Sequence, residues 1–303
     1  MTSVTAPAVR TGGSARSKRL LSWLGVVPFF LFALLFLILP TINLFVGAFQ
    51  SADGHFSLDN IVALFAQETI RDSYIISLKV SAYSSILGAL VGFFLAYAVI
   101  GGGLPAWLRP TLMTFSGVAS NFAGLPLAFA FISTLGRIGL VTIILASFGD
   151  RIGIDLNIYH AGFKLLSLWG LTLTYMYFQI PLMVLVITPA LDGMKKEWRE
   201  ASANLGASNL QYWLYVAIPV LWPSVLGSTL LLFANAFGAI ATAYALTGSS
   251  LNIVPIQLYA EIQGDVLHNP NLGYAMAFGM VVITGISNVI YLILRAYGER
   301  WVK

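Results

Sequence analysis

The sequence predicts an all-α polytopic membrane protein with six transmembrane helices, and three observations predict it. Of its 303 residues, 58% are hydrophobic and only 9% are charged, against roughly 25% charged in an ordinary soluble domain. With 16 basic and 12 acidic residues the chain cannot build the charged shell that a soluble protein of this size needs. Apolar runs longer than about 18 residues recur, each long enough to cross a hydrocarbon core. The chain has no cysteine, which excludes disulfide frameworks, Cys-ligated zinc, iron–sulfur clusters and thiol nucleophiles.

Residues 1–19, rich in small polar residues and carrying Arg10, Arg16, Lys18 and Arg19, read as a disordered basic tail, and 20–303 as a single membrane domain. The first span is expected from Trp23 to Phe49 with a kink at Pro40. It is far longer than a signal core of about 7–15 residues and reads as a retained span. A polar connection follows over 50–72, in which Asp59 caps an amphipathic surface helix bearing Ile61, Val62, Leu64 and Phe65. The second span is expected over Val80–Ile100, stopped by Gly101-Gly102-Gly103 and Pro105, and the third over Thr111–Leu135. Leu140–Phe148 is too short to cross and is expected against the outer face. The fourth, fifth and sixth spans are expected over Leu166–Ala190, Val220–Thr247 and Leu272–Leu294.

Six crossings put both termini on one side, and charge selects the side. The tail, the 101–110 and 191–219 loops and the C-terminus together hold Arg10, Arg16, Lys18, Arg19, Arg109, Lys195, Lys196, Arg199, Arg295, Arg300 and Lys303. The opposite face holds Arg71, Lys79, Arg137, Arg151 and Lys164. The richer face is cytoplasmic by the positive-inside rule, so both termini are cytoplasmic. Trp23, Trp107, Trp198, Trp213, Trp222 and Trp301 cluster toward it as interfacial anchors would. The net charge of +4 is thus explained by topology and does not point to nucleic acid.

The 191–219 segment is the longest cytoplasmic connection. Glu197 to Ala203 are good helix formers, Gly206 interrupts them, and a second stretch from Leu210 to Ile218 ends at Pro219. Ala201, Ser202, Ala203, Gly206, Ala207 and Ser208 keep the first helix slim. Two readings fit: a helix fitted closely into a partner's groove, or an amphipathic helix resting on the membrane.

Glu200-Ala201-Ser202, then Gly206, then Ile218-Pro219 is similar to the Glu-Ala-Ala…Gly…Ile-x-Leu-Pro loop of ABC importer permeases, which also lies between the antepenultimate and penultimate spans. Ser202 stands where Ala is usual, and the ending around Ala217 differs slightly. Phe56-Ser57-Leu58-Asp59-Asn60 and the second span's Leu95-Ala96-Tyr97 also resemble this family. The resemblance implies the fold of a type I ABC importer permease in a prokaryotic cytoplasmic membrane. The loop would be a coupling helix docking into a cleft of a separate ATPase subunit. Glu200 would meet a basic group there, Gly206 would permit the turn, and Pro219 would end the second helix at the membrane surface. The implied partners are two ATPase subunits, a second permease subunit (identical or related) and an extracytoplasmic substrate-binding protein. ATP and Mg would be used by the ATPase, with no cofactor bound by this chain. Overall, including Asn121-Phe122-Ala123-Gly124-Leu125-Pro126, the pattern looks most like the branch handling polyamines, ferric iron, thiamine or aminoethylphosphonate. A polyamine or similar small polar solute is the expected substrate. Sugar permeases share the same loop.

The residues themselves limit the energy source. No Gly-x-x-x-x-Gly-Lys-[Ser/Thr] phosphate loop is present, so the chain is not the motor, and the Gly101–Gly103 run reads as a turn. No Asp or Glu falls in the six apolar cores, which argues against a stand-alone ion-coupled carrier. Ser116, Ser120, Asn121, Tyr175, Tyr177, Gln179, Asn235, Tyr244 and Asn288 do occur in spans. They read either as a weakly polar translocation path or as interhelical hydrogen bonds, worth about 0.6 kcal/mol each. Of these, Asn121, Ser120, Tyr175, Gln179 and Asn235 are the path candidates. His55, His160 and His268 fall in external loops; His160 lies near Asp150 and Asp155, but the spacing matches no strong metal pattern. No Ser/His/Asp arrangement or cluster of titratable residues supports an enzyme. Gly273, Ala275, Ala277 and Gly279 give the sixth span a small-residue face for close helix packing.

Overall fold

The structure, a computed structural model, describes residues 26–299 apart from Ala52, Gly103, Ala106 and 264–268. The basic tail, Trp23, Gly103, His268, Arg300, Trp301 and Lys303 therefore lie outside the described residues. Among the described residues the regular elements are all helices, with one isolated β-bridge between Gln50 and Phe56. The helices are α1 (Val26–Ala48), α2 (Asp59–Ala66), α3 (Glu68–Gly101), α4 (Leu108–Ala119), α5 (Leu125–Leu135) and α6 (Leu140–Ile152). There follow α7 (Leu168–Asp192), α8 (Lys196–Asn204), α9 (Asn209–Phe237), α10 (Ala241–Thr247), α11 (Val254–Gln263) and α12 (Pro270–Glu299). Six stretches are long and apolar enough to cross a membrane: α1, α3, Leu125–Ile152, α7, α9 and Pro270–Ala296.

The bundle is organised around α7. The Ser167 hydroxyl caps it by accepting from the Gly170 amide at 3.3 Å. It is apolar all round, and Leu171, Tyr175, Phe178, Met183, Val184 and Ile187 are buried on it, as befits a span enclosed by others. Its principal neighbour, α3, turns toward the bundle a stripe of small residues including Ser77, Ser81, Ser84, Gly88 and Gly92. A Cβ on Gly92 would stand 2.7 Å from the Ile180 carbonyl oxygen, so the two backbones approach as only glycine allows. The serines extend α3 back to Glu68, well before the expected start at Val80. Hydroxyls bonded to their own helix let a polar-looking stretch stay helical and buried: Ser73 donates to Ile70 O at 2.7 Å and Ser84 to Ser81 O at 3.3 Å.

The first span is broken by geometry rather than ended. Its turn Leu34–Ile38 is a π-helix, and Pro40 follows two residues later. The proline lacks an N–H and its ring crowds the carbonyl four residues back, which lies within that wide turn. No residue of α1 between Val26 and Val46 is buried; Gly47 and Ala48 are, and Phe45 and Phe49 contact Phe278 edge-on. The small face of α12 packs within the subunit as its spacing suggests: Ala275 is fully buried, and Gly279 lies under Tyr74, whose hydroxyl donates to Met276 O at 2.6 Å. The surface helix α2 forms as expected, but its first amide is capped by Ser57, whose Oγ accepts from Asp59 N at 2.9 Å.

Two expected spans are divided. Thr111–Leu135 is interrupted at 120–124, between α4 and α5, where Gly124 has φ 76° and ψ −148°. Apolar length alone selects Leu125–Ile152 as the third candidate, yet α4 lies antiparallel along α7 and the break after it stays beside Tyr177. Arg109 meets Asp192, Met113 meets Thr188, and Phe122 and Phe131 both meet Tyr177. Beyond them α6, longer than the expected Leu140–Phe148, buries only Thr142 and Gly149. The fifth span likewise stops at Phe237, not Thr247, and α10 is a separate helix after residues 238–240.

Candidate functional site

Between α7 and α9 the chain forms a short helix standing clear of the bundle. No residue of α8 is buried, and Glu200 and Ala201 are exposed while Ser202 is half-buried. Its end follows from Gly206. Ala207 N–H reaches Ser202 O at 3.0 Å and Gly206 N–H reaches Ala203 O at 2.9 Å, a Schellman closure. Gly206 has φ 81°, a conformation costly for any residue with a Cβ. Ser208 then opens α9 with a capping box: its Oγ accepts from Gln211 N at 3.3 Å, and Gln211 Oε1 accepts from Ser208 N at 2.8 Å. Both ends of the turn are thus closed by their own hydrogen bonds, and the loop is stiff.

Pro219 does not end the second helix. Helix α9 runs on through it and Pro223 to Phe237. A π turn, Trp213–Ala217, precedes Pro219 by the same two-residue offset seen before Pro40. The wide turn absorbs the missing amide and the ring's clash, so Asn209–Phe237 is one continuous rod. Ile218 is 44% exposed on this rod, and Leu205 (88%), Leu210 (68%) and Tyr215 (77%) expose large apolar surface near the turn. Trp213 sits edge-on to Tyr97 at the end of α3, with ring centroids 4.9 Å apart.

The path candidates separate into two groups. Tyr175 is 1% exposed and its hydroxyl donates to Ala239 O; Gln179 is fully buried and donates from Nε2 to Ser84 Oγ at 2.9 Å. Both are buried and hydrogen-bonded to a neighbouring segment. Ser120, Asn121 and Asn235 lie instead at or beside the two helix interruptions. Asn121 is exposed and donates to Gly117 O at 2.9 Å, and Asn235 is exposed. The interruptions adjoin: Gly124 N–H donates to Thr242 Oγ1 at 2.6 Å. Thr242 and Ala239 were not among the sequence candidates; the signal that could have found them is Gly238, a helix stop in the middle of an apolar run.

Among the described residues no group of three or more His, Cys, Asp or Glu could hold a metal ion. His160 Nδ1 instead pairs with Asp155 Oδ2 at 2.8 Å. The Asn157 backbone amide and then His160 hold the Asp155 carboxyl below its ordinary range.

Comparison with known proteins agrees with this architecture. The chain is 24% identical over 229 residues to the molybdenum transport system permease protein ModB of Mycobacterium tuberculosis, covering 74% of this chain and 79% of that protein. It is 26% identical over 119 residues to the spermidine/putrescine transport system permease protein PotC of Haemophilus influenzae, covering 39% and 45%. The fold is similar to a chain of a bacterial ABC transporter involved in import of the acidic polysaccharide alginate, with TM-score 0.66, 17% identity and coverage of 95% and 98%. Residues 88–303 match the family described as the binding-protein-dependent transport system inner membrane component. The chain therefore belongs to that family: it is a multi-pass inner-membrane permease component of an ABC importer, a transport subunit and not an enzyme.

Proposed function

We propose that this permease supplies half of a solute path and is driven through its Glu200–Pro219 loop by a separate ATPase. The observation that carries this reading is α8 itself, a nine-residue helix (Lys196–Asn204) with no buried residue, closed by Gly206 and joined stiffly to a span. A rigid projection of this kind transmits displacement, and its exposed Glu200 suits a basic partner group. Two ATPase subunits hydrolysing Mg-ATP, a second permease subunit and an extracytoplasmic binding protein complete the assembly. Ser120, Asn121 and Asn235, beside the paired helix interruptions, line the path.

For the solute, a polyamine or similar small polar molecule is supported by the resemblance to PotC over 39% of the chain. An oxyanion is the second reading, favoured by the longer match to ModB, over 74% of the chain. The complex reconstituted in liposomes with its binding protein is tested for uptake of spermidine and of molybdate. Glu200→Ala and Gly206→Pro should each abolish uptake of the transported solute while membrane insertion stays normal and ATP hydrolysis becomes uncoupled. Full uptake by both variants would remove the coupling role from this loop.

A further inference from the structure

We infer that Arg109 and Asp192 form the joint through which displacement of α8 reaches α4 and the helix interruption at 120–124. This rests on the coupling role proposed above for α8. Asp192 is the last residue of α7, and α8 begins at Lys196. Any movement of α8 therefore arrives at Asp192 through a three-residue connection. Across the gap, Arg109 lies in the first turn of α4, and its Nη2 stands 2.5 Å from Asp192 Oδ2. One turn deeper Thr188 Oγ1 lies 3.7 Å from Met113 Sδ, so the two helices are held side by side. Helix α4 is then a 12-residue strut, about 18 Å long at 1.5 Å per residue, whose far end is Ser120.

The placement of the two charges is itself informative. A cation in the first turn of a helix and an anion in the last turn both oppose their own helix dipole. Arg109 and Asp192 are each at the wrong end of their own helix and at the right end of their neighbour's. Neither charge suits the dipole of its own helix; each suits the other helix's end. The second exit from α8 leads through the turn at 205–208 and Trp213 to Tyr97 on α3, and reaches α4 only through the apolar cluster that Trp213 and Tyr97 share with Met113. The polar joint is thus the direct route from α8 to the path candidates Ser120 and Asn121.

Because the chain has no cysteine, a single introduced cysteine reports one position of this subunit once the partner subunits are made cysteine-free. The full importer complex carries a spin label at Val118→Cys, which is 67% exposed near the end of α4, or at Leu205→Cys, which is 88% exposed beside α8. ATP plus vanadate should change both spectra in the otherwise native chain. Arg109→Ala and Asp192→Asn should leave the Leu205 response intact and cut the Val118 response about fivefold, the low end of coupling between sites. The double exchange Arg109→Asp with Asp192→Arg should restore it, which a merely structural role for either residue would not predict. An undiminished Val118 response in both single variants, a silent Val118 label in the native chain, or failure of the exchange to restore it would overturn the joint. A silent Leu205 label in the native chain would instead overturn the coupling role of α8.

Discussion

The Gly124 amide donates to the Thr242 hydroxyl at 2.6 Å, joining the interruption of one span to the interruption of another. Gly124 holds φ 76° and ψ −148°, a region open essentially to glycine. Thr242→Val keeps the shape but removes the acceptor, and should cost about 1 kcal/mol because a half-buried amide loses its partner. Thr242→Ser should retain most of the stability. Thermal unfolding in detergent checks both, and equal melting of Thr242→Val and the native chain would show the bond to be dispensable.

Gln179 discriminates between a path residue and a packing residue. It is fully buried, its Nε2 is bonded to Ser84, and its Oε1 has no partner. An unpaired buried acceptor is a liability, so Gln179→Met should be neutral or mildly stabilising. Uptake should be unchanged, whereas Asn121→Ala should alter it. Loss of uptake in Gln179→Met with unaltered melting would return this residue to the path.

Gly92 tests the contact on which the bundle depends. A Cβ there would lie 2.7 Å from both Ile180 O and Met183 Cβ. Gly92→Leu should destabilise by about 1–3 kcal/mol or more, because backbone rather than a flexible side chain is in the way. Gly285→Leu is the control, since nothing lies within 4 Å of a Cβ there. The difference in melting temperature between the two variants measures the α3–α7 approach.

Glu261 lends the protein a pH dependence. It is 4% exposed, and burial pushes its carboxyl above the ordinary range, with the Gln257 amide at 3.3 Å acting in the opposite direction. The folded chain holds this proton more tightly than the unfolded chain. Its stabilising contribution is therefore complete below the ordinary carboxylate pKa and is lost as pH rises through the raised value. Glu261→Gln should melt close to the native chain near pH 4, and its relative stability should grow toward about pH 8. A melting difference that is flat or shrinks over that interval would contradict the assignment.

The candidate site was legible to the extent that it is local. The helix 196–204, its stop at Gly206 and the exposed Glu200 are consequences of propensity and backbone conformation, and the residues say so directly. Pro219 misled because its cost depends on the turn before it, and a π turn is not written in the pattern of apolar residues. Tyr175 and Gln179 were legible only as two alternatives, because a polar group in a span looks alike whether it faces a path or a neighbouring helix. The serine stripe of α3 was hidden because hydroxyls satisfied by their own helix are counted as polar by composition and behave as small packing residues in place.

The membrane class and the number of spans were determined by the sequence alone, since they follow from the cost of placing charge and unpaired backbone in hydrocarbon. Only the tertiary structure decided which helices touch. The breaks at 120–124 and 238–240 adjoin through Gly124 and Thr242, and the oppositely charged helix ends meet through Arg109 and Asp192. Such pairings join residues 118 and 83 positions apart in the chain. They depend on which small residues let backbones approach, a property of two surfaces together that neither segment carries by itself.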